Sequence, residues 1–163
     1  MIRRRWGTAW LFAAMIFAGP AMSRSIEDFH VDLRARAGLP PASAVGEVTI
    51  FRQALYLGGS SSTVARRNTR GRWTVSRVET LARAPNGVRA KNWRLSRDSA
   101  EVLERWLDDP ALYQMTGSVG EQSCLDPGML VAEVAWKGRS TSLEADCEAD
   151  DALKALSGIL NAS

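Results

Sequence analysis

One histidine, His30, and two cysteines, Cys124 and Cys147, bound the nucleophilic and metal chemistry open to this 163-residue chain. A single imidazole is too few for a histidine-based zinc centre. A Ser/His/Asp arrangement would have to use His30, which lies in a short amphipathic segment beside the prolines Pro40 and Pro41, a poor scaffold for a held geometry. His30 is therefore expected to be an ordinary surface or half-buried side chain. No G-x-S-x-G elbow occurs, and none of the three lysines has a serine three residues before it, which removes the S-x-x-K signature.

Oxygen chemistry is no better organised. The segment Gly58-Gly59-Ser60-Ser61-Ser62-Thr63 has the composition of an anion cradle, but it lacks the lysine of a P-loop and precedes a strand-like run, so it is expected to be a flexible hairpin loop. Asp146, Glu148, Asp150 and Asp151 lack the spacing of a calcium loop. Asp98, Glu101, Glu104, Asp108 and Asp109 read as the solvated face of a helix. A glycosidase pair among these acids would need a separation that sequence does not supply. No cofactor or metal is called for by any of these patterns.

The residues best suited to recognition are Arg66, Arg67, Arg70 and Arg72, grouped around one hairpin tip with Trp73 beside them. Guanidinium forks match phosphate and carboxylate, so the group is a candidate anion-binding site. The plainer role for such cations is to keep sheet edges from pairing with neighbours. Whether Arg66 and Arg67 share a face with Trp73 turns on one residue of register. Trp73, Trp93, Trp106 and Trp136 fall on separate elements, as core-filling tryptophans do.

Around these residues the chain divides into an address and a body. Arg3, Arg4 and Arg5 precede ten apolar residues, Ala9 to Ala18, and Ala21-Met22-Ser23 has the small-x-small form of a signal-peptidase site. Residues 1–23 are expected to be a signal peptide, too short in its apolar run to span a bilayer. The destination would be the periplasm or the exterior. Of the 21 lysines and arginines three precede residue 24, leaving 18 against 18 acidic residues. The charges are nonetheless segregated: residues 24–97 hold 14 basic and 5 acidic side chains, residues 98–163 hold 4 and 13. Either the halves pack and cancel, or the arginines present a face to an anionic partner. In an oxidising compartment an even pair of cysteines 23 residues apart implies a Cys124–Cys147 disulfide, worth roughly 3 kcal/mol on the entropic model.

The body must supply the elements that hold these side chains. Ser25 to Gly38 has a helical start, spacing and stop, and residues 24–45 are read as an N-terminal helix and linker, the helix packed loosely or mobile. Residues 46–163 form one domain. Four strands are expected at about 47–57, 62–69, 72–83 and 88–95, in an antiparallel meander with short turns. Arg77 falls in phase with Trp73 and Val75, which points to a bulge or a strand end there. A helix capped by Asp98 carries Val102, Leu103, Trp106 and Leu107. A hairpin follows over 130–136 and 139–145, then a helix over 149–160. The fold class is α+β: a mostly antiparallel sheet of five or six strands, with two helices packed on one face and a short N-terminal helix.

The function that fits is an exported, non-catalytic binding or interaction module. Its partner would be an anionic envelope polymer or another exported protein, engaged through the arginine-rich hairpin, with no nucleic acid and no membrane span after leader removal. A carboxylate-based envelope hydrolase and an inhibitor of a secreted enzyme are the alternatives.

Overall fold

The computed structural model describes residues 26–43, 46–55, 59–81, 87–115, 117–118, 129–145 and 151–161. The expected signal peptide and both cysteines lie outside them, as does the expected link between Cys124 and Cys147. Along the chain come α1 (Ile26–Arg36), β1 (Val48–Leu55), β2 (Gly59–Arg67), β3 (Trp73–Thr80), β4 (Val88–Arg94) and α2 (Arg97–Asp108). A 3-10 turn (Pro110–Tyr113) precedes β5 (Gly117–Ser118), β6 (Met129–Trp136), β7 (Arg139–Ala145) and α3 (Asp151–Asn161). The class is α+β.

Six strands pair antiparallel, in the order β4-β3-β2-β1-β6-β7, and the two-residue β5 adds a parallel edge beside β7. The first four strands run outward as a meander. The chain then returns over one face as α2 and lays the β6–β7 hairpin against β1. That hairpin turns at Lys137-Gly138, both with positive φ, as a two-residue turn between right-twisted strands requires.

Side chains alternate across the sheet, so each strand feeds two different layers. On one face Phe51, Ala65, Trp73, Val75, Ala132, Val134, Trp136 and Leu143 meet Leu103 and Leu107 of α2 and Leu153, Leu156 and Leu160 of α3. On the other, Val48, Ile50 and Val64 form a smaller cluster with Ala42 and Ala135. The second face is where α1 docks, through contacts with β2 and β3.

Several local expectations need correction. Of the segment read as a loop, Gly59 to Thr63 are strand, because β2 begins at Gly59 and Ser60 to Thr63 pair with Ala54, Gln53, Arg52 and Phe51, while Gly58 lies outside the described residues. At its start the Ser60 amide donates to the Thr80 hydroxyl at 2.8 Å, which ties β2 to the end of β3. β3 contains no bulge: its register runs unbroken from Arg67 opposite Trp73 to Ser61 opposite Glu79. Arg77 instead reaches past the helical layer to Asn161 at the end of α3 and to Glu79. The cap of α2 is Ser96 and not Asp98, its hydroxyl accepting from the Ser99 amide at 3.1 Å. Val102 points to solvent, 39% exposed.

The largest difference is at α1, whose buried side chains are His30, Leu33 and Arg34, at helical spacing. The helix therefore packs directly on the sheet, and the lone histidine is 1% exposed.

Candidate anion-binding site

Arg66 and Arg67 end β2, and the alternation of the strand sends them to opposite faces. Arg67 goes to the helical side. Its Nη1 donates to Glu47 Oε2 at 3.0 Å, its Nε lies 3.0 Å from Glu104 Oε1, and its guanidinium sits 5.4 Å from the Trp136 ring centre. The Glu47 hydrogen bond, with Glu104 adding to it, raises the Arg67 pKa further above its ordinary value. Trp73 and Trp136 stack with centroids 5.6 Å apart, and each indole N–H donates to an acid of α2: Trp73 to Glu104 at 2.9 Å, Trp136 to Asp108 at 2.8 Å. Two of the expected solvated carboxylates are thus hydrogen-bond acceptors for the core tryptophans. Arg67 closes this network through its two ion pairs.

Arg70 and Arg72 belong to the turn between β2 and β3, where both are exposed. Asn68 builds that turn: its Oδ1 accepts from the amides of Arg70 and Arg72 at 2.9 and 3.0 Å, and Gly71 supplies a φ of 74°. The four arginines named from the sequence are thereby divided among three places, one inward, one across the sheet and two at the tip.

Arg66, on the α1 side, joins two arginines that the sequence did not group with it. Cross-strand register places Arg66 opposite Thr74, and Thr74 opposite Arg94, so the three form one row over β2, β3 and β4. Arg66 and Arg94 are two strand spacings apart, roughly 10 Å. The adjoining row is Val64, Ser76 and Asn92. Above these rows stands Arg34 of α1, donating from Nε to the Pro40 carbonyl at 2.8 Å and from Nη2 to Ser76 Oγ at 3.1 Å. Arg66 donates to the Ser43 carbonyl at 3.1 Å, which ties the far end of the linker to the same strand.

Between linker and sheet lies a cavity of about 510 Å³ whose lining, among the described residues, includes Arg34, Arg66 and Arg94 and no carboxylate. Its other walls are Leu39, Pro40, Pro41, Ala42, Val64, Val75 and Trp93, with Thr74, Ser76 and Asn92 adding uncharged hydrogen-bonding groups. Arg34 is 4% exposed, and its Nη1 has no hydrogen-bond partner among the described residues. Burial first, then the charges of Arg66 and Arg52, push the Arg34 pKa down. The shift records a locally positive field with little solvent to screen it.

Beneath α1 the cationic layer continues. Arg52 of β1 is 3% exposed and pairs with Glu133 of β6. Its Nε and both ring nitrogens of His30 lack hydrogen-bond partners among the described residues. Burial, with a contribution from Arg52, lowers the His30 pKa to about 4, so the ring is neutral at physiological pH.

The arginine row was hidden in sequence because Arg34, Arg66 and Arg94 are separated by some thirty residues each and come together only through register and helix docking. The available signal was alternation alone: Arg66, Thr74 and Arg94 share a face once the hairpin registers are set. Comparison with known proteins finds no matching family model and no matching curated protein. No helix among the described residues is long and apolar enough to cross a membrane.

Proposed function

We propose that this chain is an exported, non-catalytic binding module for an anionic partner, with the Arg34–Arg66–Arg94 cavity as its principal contact. Export rests on the leader-like residues 1–23 and gives the periplasm or the exterior as the place of action. The observation that carries the reading is a cavity lined by three guanidiniums and, among the described residues, no acid. Three like charges around one cavity repel one another, and an anion seated among them offsets that repulsion. Arg70 and Arg72, exposed at the neighbouring tip, extend the positive field that a larger anionic partner meets first.

The test is equilibrium binding of a fluorescently labelled polyglutamate peptide and of inorganic polyphosphate to the purified protein over a salt series. Binding should weaken steeply with ionic strength and fall at least tenfold in the double variant Arg66→Gln/Arg94→Gln. Affinity that ignores both salt and these substitutions, or no binding to any anion, refutes the reading.

A further inference from the structure

Resting on the anion-binding reading, we infer that the cavity's ligand is a small amphiphile: one carboxylate or phosphate head on an apolar body. The walls have two characters. The sheet side and α1 present all the charge and side-chain hydrogen bonding, Arg34, Arg66, Arg94, Thr74, Ser76 and Asn92, around the apolar Val64, Val75 and Trp93. The linker side presents Leu39, Pro40, Pro41 and Ala42, with no polar side chain among them.

Each simpler ligand satisfies only half of this lining. A bare inorganic anion engages the guanidiniums and leaves the linker wall in contact with water, although about 510 Å³ is the size of a small-molecule site rather than of an ion site. A purely apolar ligand covers the linker wall and sets an apolar body against the Arg66 and Arg94 guanidiniums, displacing their water without replacing it. A chain of repeating charge needs a cationic track, whereas here an all-apolar segment faces the charged rows. An amphiphile meets both characters: its head takes donation from Arg66 or Arg94, in a positive field to which Arg34 adds, and its body lies on Leu39, Pro40, Pro41, Ala42 and Val64. Two prolines stiffen that wall, so little chain entropy is lost when a ligand settles on it.

The carboxylate and phosphate versions share this chemistry and are separated by the probe. Titration calorimetry of the purified protein would compare decanoate, decyl phosphate, decanol and inorganic phosphate, each below its micellar concentration. At least one anionic amphiphile should bind ten times more tightly than decanol and than inorganic phosphate. Arg94→Gln and Arg66→Gln should each weaken it at least tenfold, and Thr74→Trp, which fills the cavity from β3, should abolish binding with the circular dichroism spectrum intact. Arg105→Gln, on the exposed side of α2, should leave affinity unchanged. Decanol binding as well as decanoate, or loss of affinity in no arginine variant, overturns the inference. Polyanion binding with no gain from the decyl chain overturns it while the broader anion-binding reading stands. Failure of every anion brings down both.

Discussion

Arg66 and Arg67 are adjacent in the chain and have opposite duties, a consequence of the two-residue period of a strand. Arg67 is bound to Glu47 and Glu104 and lies over Trp136. Glu104 also accepts from the buried Trp73 indole. Glu104→Ala should therefore cost about 1–3 kcal/mol in urea denaturation, because it strands an indole N–H and one side of a guanidinium together. Arg67→Gln should cost somewhat less, since the two indole bonds survive. Arg70→Gln, at the exposed tip, should stay within about 0.5 kcal/mol of the parent. Equal costs for Glu104→Ala and Arg70→Gln would show that the Trp73 network contributes nothing. The sequence put all four arginines in one class because it showed their proximity at the tip and not the register that separates them.

At the scale of elements, what was legible is what local chemistry dictates. The hairpin over Met129–Trp136 and Arg139–Ala145 follows from β-branched and apolar alternation around Lys137-Gly138, and α2 and α3 follow from stripes that reappear as Leu103, Leu107, Leu153, Leu156 and Leu160 in the core. The cap of α2 was misplaced by two residues because Asp98 and Glu101 mimic a capping box. Ser96→Ala should cost about 1 kcal/mol by thermal denaturation, and Asp98→Ala distinctly less. The docking of α1 was illegible for a different reason: its inward face is His30, Leu33 and Arg34, two of them polar, so hydrophobic periodicity gives no account of it. That polar face makes α1 pH-sensitive. His30, flanked by Arg52 on β1 and Arg34 on its own helix, titrates near 4 when folded against about 6.5 when unfolded. Between those values the unfolded chain binds the extra proton, so stability falls as pH drops from about 6.5 towards 4, by about 3 kcal/mol in all. A His30→Leu variant should lose this acid-limb dependence in denaturation measured from pH 7 to 4; an unchanged slope would show that other groups govern it.

On the scale of the whole molecule, the sheet separates two unlike interiors. One is the large apolar core under α2 and α3. The other, beneath α1, combines the Val48, Ile50 and Val64 cluster with Arg34, Arg52 and His30 and has Glu133 as its paired acid. The segregation of charge along the sequence thus resolves in two ways. Arg67–Glu104 and Arg52–Glu133 join the basic and acidic halves across the fold, while the cavity face keeps three arginines without a lining carboxylate. Stability is correspondingly uneven, because buried apolar area holds the helical side and a partly unsatisfied cationic layer holds the other. Native-state hydrogen exchange should show α1 amides opening sub-globally, at a free energy below that of β1 and β6, which lie at the centre of the sheet with neighbours on both sides. The gap should widen as pH falls towards 4 and His30 becomes charged beside Arg52. It should narrow when an anionic amphiphile is added, because Arg34 and the linker form one wall of its cavity and the ligand binds only the docked form. Exchange of α1 at the same free energy as β1 and β6, at both pH 7 and pH 4.5, would mean that the polar layer is as well satisfied as the apolar one, and that α1 belongs to a single cooperative unit with the sheet.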